Sequence, residues 1–173
     1  MIINTAAGWI HTHRRDWSAA LDAFRIAMDL DRNFGLAWLW QGYPLLKAGR
    51  PREAVESART ASRLMNGAAI AQAFLGHTLA VTGDTADARA VLDELLSRAP
   101  NRYVAAFFPS LIHLGLGDND GALAWLDRAL AERSHWLTFL NVDPRWDLVR
   151  AEPRFQGIVR QVGLPGVASE ARL

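Results

Sequence analysis

The sequence has no cysteine, so neither a disulfide nor a thiolate metal site is open to it. It has a single lysine, Lys47. It has no excess of one charge: 19 basic against 18 acidic side chains leave a net of +1, which gives no electrostatic footprint for nucleic acid or an anionic membrane surface. It has no long apolar run. The most apolar stretches, residues 68–83 and 104–117, are interrupted by Gln72, His77, Pro109 and His113, short of the roughly 18 apolar residues that a membrane span needs. The amino end, MIINTAAGWIHTHRRD, lacks a basic segment leading into an apolar one and does not read as a signal peptide. The expectation is a cytoplasmic protein with neither nucleic acid nor membrane as partner. At 173 residues, half of them hydrophobic, the chain is long enough for one domain with a real core.

What is present is a period. Gly49, Gly83 and Gly117 are spaced by 34, with Arg15 one period earlier; Gly8, Gly42 and Gly76 are spaced by 34 and followed by Ser110. Ala20, Ala54, Ala88 and Ala122 form a third column at the same spacing, and Ala27, Ala61, Leu95 and Ala129 a fourth. Four columns in one phase predict four copies of one supersecondary unit. Each copy reads as two helices. The first, as in residues 34–48, stops at the Gly49 column, where a left-handed residue closes a last turn. The second starts one or two residues later, with Asp16, Asp84-Thr85 and Asp118-Asn119 as capping side chains and Pro51 in a first turn. The Gly8 and Ala20 columns let the two helix axes come close. Pro44 and Pro109 fall inside first helices, where each removes a hydrogen bond; they read either as kinks tolerated by packing or as bends that shape a groove.

These columns resemble the tetratricopeptide repeat, whose 34-residue helix-turn-helix carries W-x2-L-G-x2-Y, A-x3-F and P. The second unit matches with Trp38, Gly42 and Ala54, the third with Leu75, Gly76, Ala88 and Pro100, the first with Gly8, Ala20, Phe24 and Ala27, and the fourth with Ala122, Leu126 and Ala129. It departs at Gln41, Leu45, Ala58 and Asn66, and at Pro109-Ser110 where Leu-Gly is usual. The resemblance covers residues 1–135 and implies an all-α, right-handed superhelix of four repeats, at about 1–34, 35–68, 69–102 and 103–136. Capping helices are expected over 136–166 and a disordered tail over 167–173. In the cap, Asp143-Pro144-Arg145-Trp146 and Glu152-Pro153-Arg154-Phe155 each begin with an acid and a proline, a helix-start signal. A short helix is expected from about Pro144 and a longer one from about Pro153, the second ended by Gly163 and Pro165. Trp146, Leu148, Phe155, Ile158, Val159 and Val162 supply apolar faces to cover the end of the fourth repeat, as solenoids require. This ending, with Arg102-Tyr103-Val104, Gly117-Asp118, Ala122-Leu123, Trp125-Leu126, Glu132-Arg133-Ser134 and Trp136-Leu137, is also similar to the carboxyl-terminal repeat regions of bacterial signalling proteins and transcription regulators.

The dipeptide spacing in Trp38-Leu39-Trp40 places two indoles roughly 200° apart on one helix. In the family's superhelix, first helices line the concave side. Trp38 then packs between helices, and Trp40 projects inward in a column with Phe74 and Phe108. Neighbouring columns hold Trp9, Tyr43, His77 and Leu111, and Leu39 with Phe107. This wall is expected to take a protein or peptide partner along the groove, as apolar surface of this kind does; burial of the same rings by superhelical curvature is the competing reading. Relatives that clamp two carboxylates use lysine, asparagine and arginine in the columns where this chain has Trp9, Tyr43 and His77, so that subtype is rejected. Ile2, Ile3 and Trp9 sit at an uncovered first end, which predicts either a piece of a longer protein or self-association through that end.

No catalytic residues, metal or cofactor are expected. His11 and His13 diverge on a helix. The run Gly115 to Gly121 follows a helix rather than a strand, and as a calcium loop its twelfth place is Ala129. Ser134-His135 has no acid partner in view. The expected function is a non-catalytic protein-interaction module; the alternative is a regulatory or dimerisation domain derived from a larger signalling enzyme or DNA-binding regulator.

Overall fold

A computed structural model describes residues 1–98 and 103–165. Pro100, Arg102, the junction between the third and fourth repeats, and the tail from Val167 lie wholly or partly outside the described residues. Four antiparallel pairs follow one another: α1 (Ile2–His13) with α2 (Trp17–Leu30), α3 (Gly35–Lys47) with α4 (Pro51–Leu64), α5 (Ala69–Val81) with α6 (Thr85–Arg98), and α7 (Phe107–Gly115) with α8 (Asn119–Ala131). Two 3-10 turns, His135–Phe139 and Pro144–Leu148, lead into α9 (Pro153–Val162). No strand occurs among the described residues. Each first helix packs on its own second helix and on the next pair, which is the tetratricopeptide superhelix.

The local chemistry follows the columns. Gly49, Gly83 and Gly117 have φ of 72°, 97° and 75°, and Arg15, in the same column, is held at 62°. Asp16 and Asp118 cap α2 and α8 by accepting from the amides of Ala19 at 3.1 Å and Gly121 at 2.9 Å. Pro51 opens α4. Ala20, Ala54, Ala88 and Ala122 are fully buried between helices. A methyl added at Gly8 would stand 2.7 Å from the Phe24 ring, and one at Gly76 2.7 Å from Ile112 of the next pair.

The structure corrects two expectations. Pro109 does not interrupt a helix: α7 begins at Phe107, so Pro109 lies in the first turn, where its missing N–H is not needed. Leu148 does not cover the fourth repeat; it is 76% exposed. The cover comes from Trp146, Phe155, Ile158 and Val159, joined by Leu137, Leu140 and Val149, all buried in one cluster with α7 and α8.

Candidate functional site

The inward side chains of the first helices form an aromatic row. Trp40 meets Trp9 edge-on at 6.1 Å and Phe74 edge-on at 5.1 Å between ring centroids. Trp38, two residues from Trp40, points away from this row; its Nε1 donates to the carbonyl of Arg32 at 2.8 Å.

The row is met by the chain's own residues 135–148. Trp136 stacks on Phe107 at 5.9 Å and leans on Phe108 at 5.7 Å. Phe139 meets Trp9 edge-on at 4.9 Å. The Arg145 guanidinium lies over the Phe74 ring at 4.2 Å, and the Tyr43 hydroxyl donates to the carbonyl of Pro144 at 3.2 Å. Asp147 pairs with Arg15 and Arg150. Of the residues expected to form the wall, Leu39, Phe74, His77, Phe107, Phe108 and Leu111 are buried, while Trp9, Trp40 and Tyr43 stay half-buried. Trp136, Phe139, Asp143 and Arg145 belong to the site and lie outside the repeat columns. The aromatic run WLTFL was the one signal for the first two.

Electrostatics within the filled part are set by one buried pair. Asp143 and Arg145 are bound through Nε at 2.9 and 3.0 Å, with side-chain exposures of 4% and 9%. Burial pushes the Asp143 carboxyl up, but the Arg145 charge and hydrogen bonds outweigh it and hold the group below the usual carboxylate range. His77 is pushed down to about 3 by burial, with the Arg145 charge acting the same way, so its imidazole is neutral at neutral pH. Burial, then the negative charge of Asp143, raises the Tyr43 phenol. His13 is lowered by burial, and its Nδ1 lies 2.7 Å from the carbonyl oxygen of Trp9.

Among the described residues, two openings of several hundred cubic ångströms lie beside residues 135–148. One, about 370 Å³, is lined by Ile2, Thr5, Ala6, Trp9, Phe34, Leu36, Trp40, His135, Trp136 and Phe139. The other, about 530 Å³, lies between Tyr43, Lys47, His77, Val81, Leu114 and Arg145. The Lys47 ammonium there sits 5.4 Å from the Tyr43 ring centroid. The turn between α7 and α8 is accounted for by capping, since Asp118 also binds His113 at 2.7 Å. Among the described residues no cluster of three or more His, Asp or Glu is placed to hold a metal, and no helix is long and apolar enough to cross a membrane.

Models of the tetratricopeptide repeat match residues 45–107 and 110–128. Among solved structures, the crystal structure of MamA protein superposes with a TM-score of 0.50 at 16% identity, covering 93% of this chain and 88% of that one. A second crystal structure of MamA gives 0.48 at 16% identity, over 90% and 91%. At this identity the likeness is one of fold. No curated protein matches the chain.

Proposed function

We propose that this chain is a non-catalytic protein-interaction module that takes an apolar anchor of a protein or peptide partner in the opening between Trp9, Trp40, Trp136 and Phe139. Tetratricopeptide repeats mediate protein–protein contacts as a class, which supports a protein partner. The observation that carries the narrower reading is the opening itself. It is an indentation of about 370 Å³ whose lining holds three tryptophans or phenylalanines from the superhelix and two from residues 135–148, with His135 as the one ionisable group. Rigid aromatic surface of this kind gives large contact area at low entropic cost. Ile2 and Leu36 stand exposed on its rim.

The reading shifts the groove expected from sequence toward its first end. Phe74, Phe107 and Phe108, in contact with Arg145 and Trp136, support the site rather than touching a partner. The similarity of the carboxyl-terminal motifs to signalling-protein repeat regions rests on the quoted residues and names no partner. The test is affinity capture with the wild type beside Trp40→Ala and Leu36→Asp, followed by reconstitution with the purified partner. Loss of binding in both variants, with unchanged helical circular dichroism and retained binding by Arg59→Ala on the outer side, is expected. Undiminished binding by Trp40→Ala and Leu36→Asp overturns it.

A further inference from the structure

We infer that the opening between α3, α5, α7 and residues 144–148 binds a small monocarboxylic acid with an apolar body. The polar groups that line it show why. His77 is 5% exposed, and neither of its ring nitrogens has a hydrogen-bond partner among the described residues. Polar atoms this deep ordinarily have one. The described side-chain atoms that are sealed from solvent without a partner are Asn141 Oδ1 and Trp146 Nε1. The His77 nitrogens are not sealed, and the residue lines this opening. Arg145 lines it too and shows the same pattern. Its side chain is 9% exposed; Nε and Nη2 bind Asp143, while Nη1 has no hydrogen-bond partner among the described residues. Lys47 is the third such group. Its ammonium lies near the Tyr43 ring, and among the described residues no carboxylate meets it.

The chemistry of these groups selects the ligand. An ammonium, a guanidinium edge and the N–H of a neutral imidazole are all donors. The carboxylates beside them are taken, Asp143 by Arg145 and Asp147 by Arg15 and Arg150. The hydroxyls of Tyr43 and Thr82 donate to main-chain carbonyls. One cation is thus left without a counter-charge, next to two further donors without acceptors. A single carboxylate supplies both the charge and the acceptor oxygens, whereas phosphate would bring a second charge with no cation to meet it. The remaining lining is largely apolar: Leu46, Val81, Leu114 and Leu148. Val81 and Leu148 are exposed there, placed to cover a hydrocarbon body. The volume, about 530 Å³, lies in the range of small-molecule cavities. A length of peptide would need the extended groove, and that is filled by Trp136 and Arg145. Lys47 stands outside the columns in which relatives clamp carboxylates, and Arg145 outside the repeats altogether. No residue of the first hairpin lines this opening, and none of its lining is shared with the aromatic opening, so the inference is independent of the protein-partner reading.

Octanoate, kept below its micelle concentration, is the probe. Calorimetric titration of the wild type is expected to give a Kd between about 10 µM and about 1 mM, the range open to about ten non-hydrogen atoms. Octanamide keeps the body without the charge and acetate the charge without the body; each is expected to bind at least tenfold more weakly. Lys47→Gln changes an exposed side chain. It is expected to weaken octanoate about fivefold or more, to leave octanamide as it was, and to keep the helical spectrum. Leu148→Asp is expected to weaken octanoate at least tenfold. In nuclear magnetic resonance of the imidazoles, octanoate is expected to shift the His77 ring signals and to leave those of His135, beside the aromatic opening, in place. Trp40→Ala is expected to bind octanoate like the wild type, so a failure here and a failure of the partner site read out separately. No saturable binding of octanoate up to about 5 mM overturns the inference. So does octanamide binding as tightly as octanoate, Lys47→Gln binding like the wild type, or a shift at His135 without one at His77. A tripeptide ending in a free leucine carboxylate that binds more tightly than octanoate overturns the choice of a small acid.

Discussion

A methyl group placed on Gly8 would press within 2.7 Å of the Phe24 ring, whereas one placed on Gly42 would meet nothing closer than 3.9 Å. Both glycines are in one column of the repeat and both lie in helix interiors. Their substitution is expected to have opposite signs. Gly8→Ala forces a packed ring aside and costs about 1–3 kcal/mol. Gly42→Ala gains helix propensity without a clash and stabilises by about 0.5–1 kcal/mol. Chemical denaturation of the two variants checks this. At Gly83, with φ of 97° and nothing within 4 Å, Gly83→Ala is expected to lose about 1–2 kcal/mol through backbone strain alone. The columns were legible in the sequence; their unequal tolerance is legible only when two columns are read together. The residue one period after Phe24 is Ala58, and that exchange of a ring for a methyl is what leaves room above Gly42.

Among the elements, residues 135–148 depend most on a single polar contact. Asp143 and Arg145 sit under the cap almost without exposure, and removing one partner leaves a buried charge alone. Arg145→Met is expected to cost about 3–5 kcal/mol, and adding Asp143→Asn is expected to recover a large part of it; a double-mutant cycle by thermal unfolding measures the coupling. The fold of the hairpins was readable because the same small residues recur in phase. The course of residues 135–148 was not, because the period ends there. Asp143 and Pro144 do announce a helical turn, with Asp143 accepting from the Arg145 amide at 3.0 Å. A turn signal says nothing about direction, and the direction is set by Phe74, Phe107 and Tyr43, which are far away in sequence. Trp9 and Trp40 were placed on the inner wall by their columns together with the resemblance to the tetratricopeptide superhelix; that Phe74, Phe107 and Phe108 meet the chain's own residues 135–148 follows from contacts that no periodicity encodes.

The whole molecule carries an acid sensitivity with a definite sign. In an unfolded chain His77 takes up a proton near pH 6.5; in the fold it does so only at about 3. Between those values the unfolded state binds the extra proton, so stability falls as pH is lowered, by up to about 1.4 kcal/mol per pH unit from this residue. His13, lowered by burial, acts in the same direction. Asp143, held low mainly against its burial by Arg145, contributes stability that is complete above the ordinary carboxylate range and is lost as pH falls through its depressed value. Urea midpoints between about pH 4 and 7 are expected to decline steadily toward acid, with a shallower decline in His77→Gln. A flat wild-type profile over that range would contradict the assignment of a neutral buried imidazole.

Arg15 and its partner Asp147 are 132 residues apart, while Phe139 touches Trp9 from the other end of the chain. A simple array of repeats folds by propagation between neighbours; this one fastens residues 135–148 to its first hairpin. The first hairpin acquires its final partners only after residues 135–148 have been synthesised. Its amide hydrogens are accordingly expected to exchange through the same opening event as those of α8, making the array a latched ring in kinetic terms rather than a row of units that fray one by one.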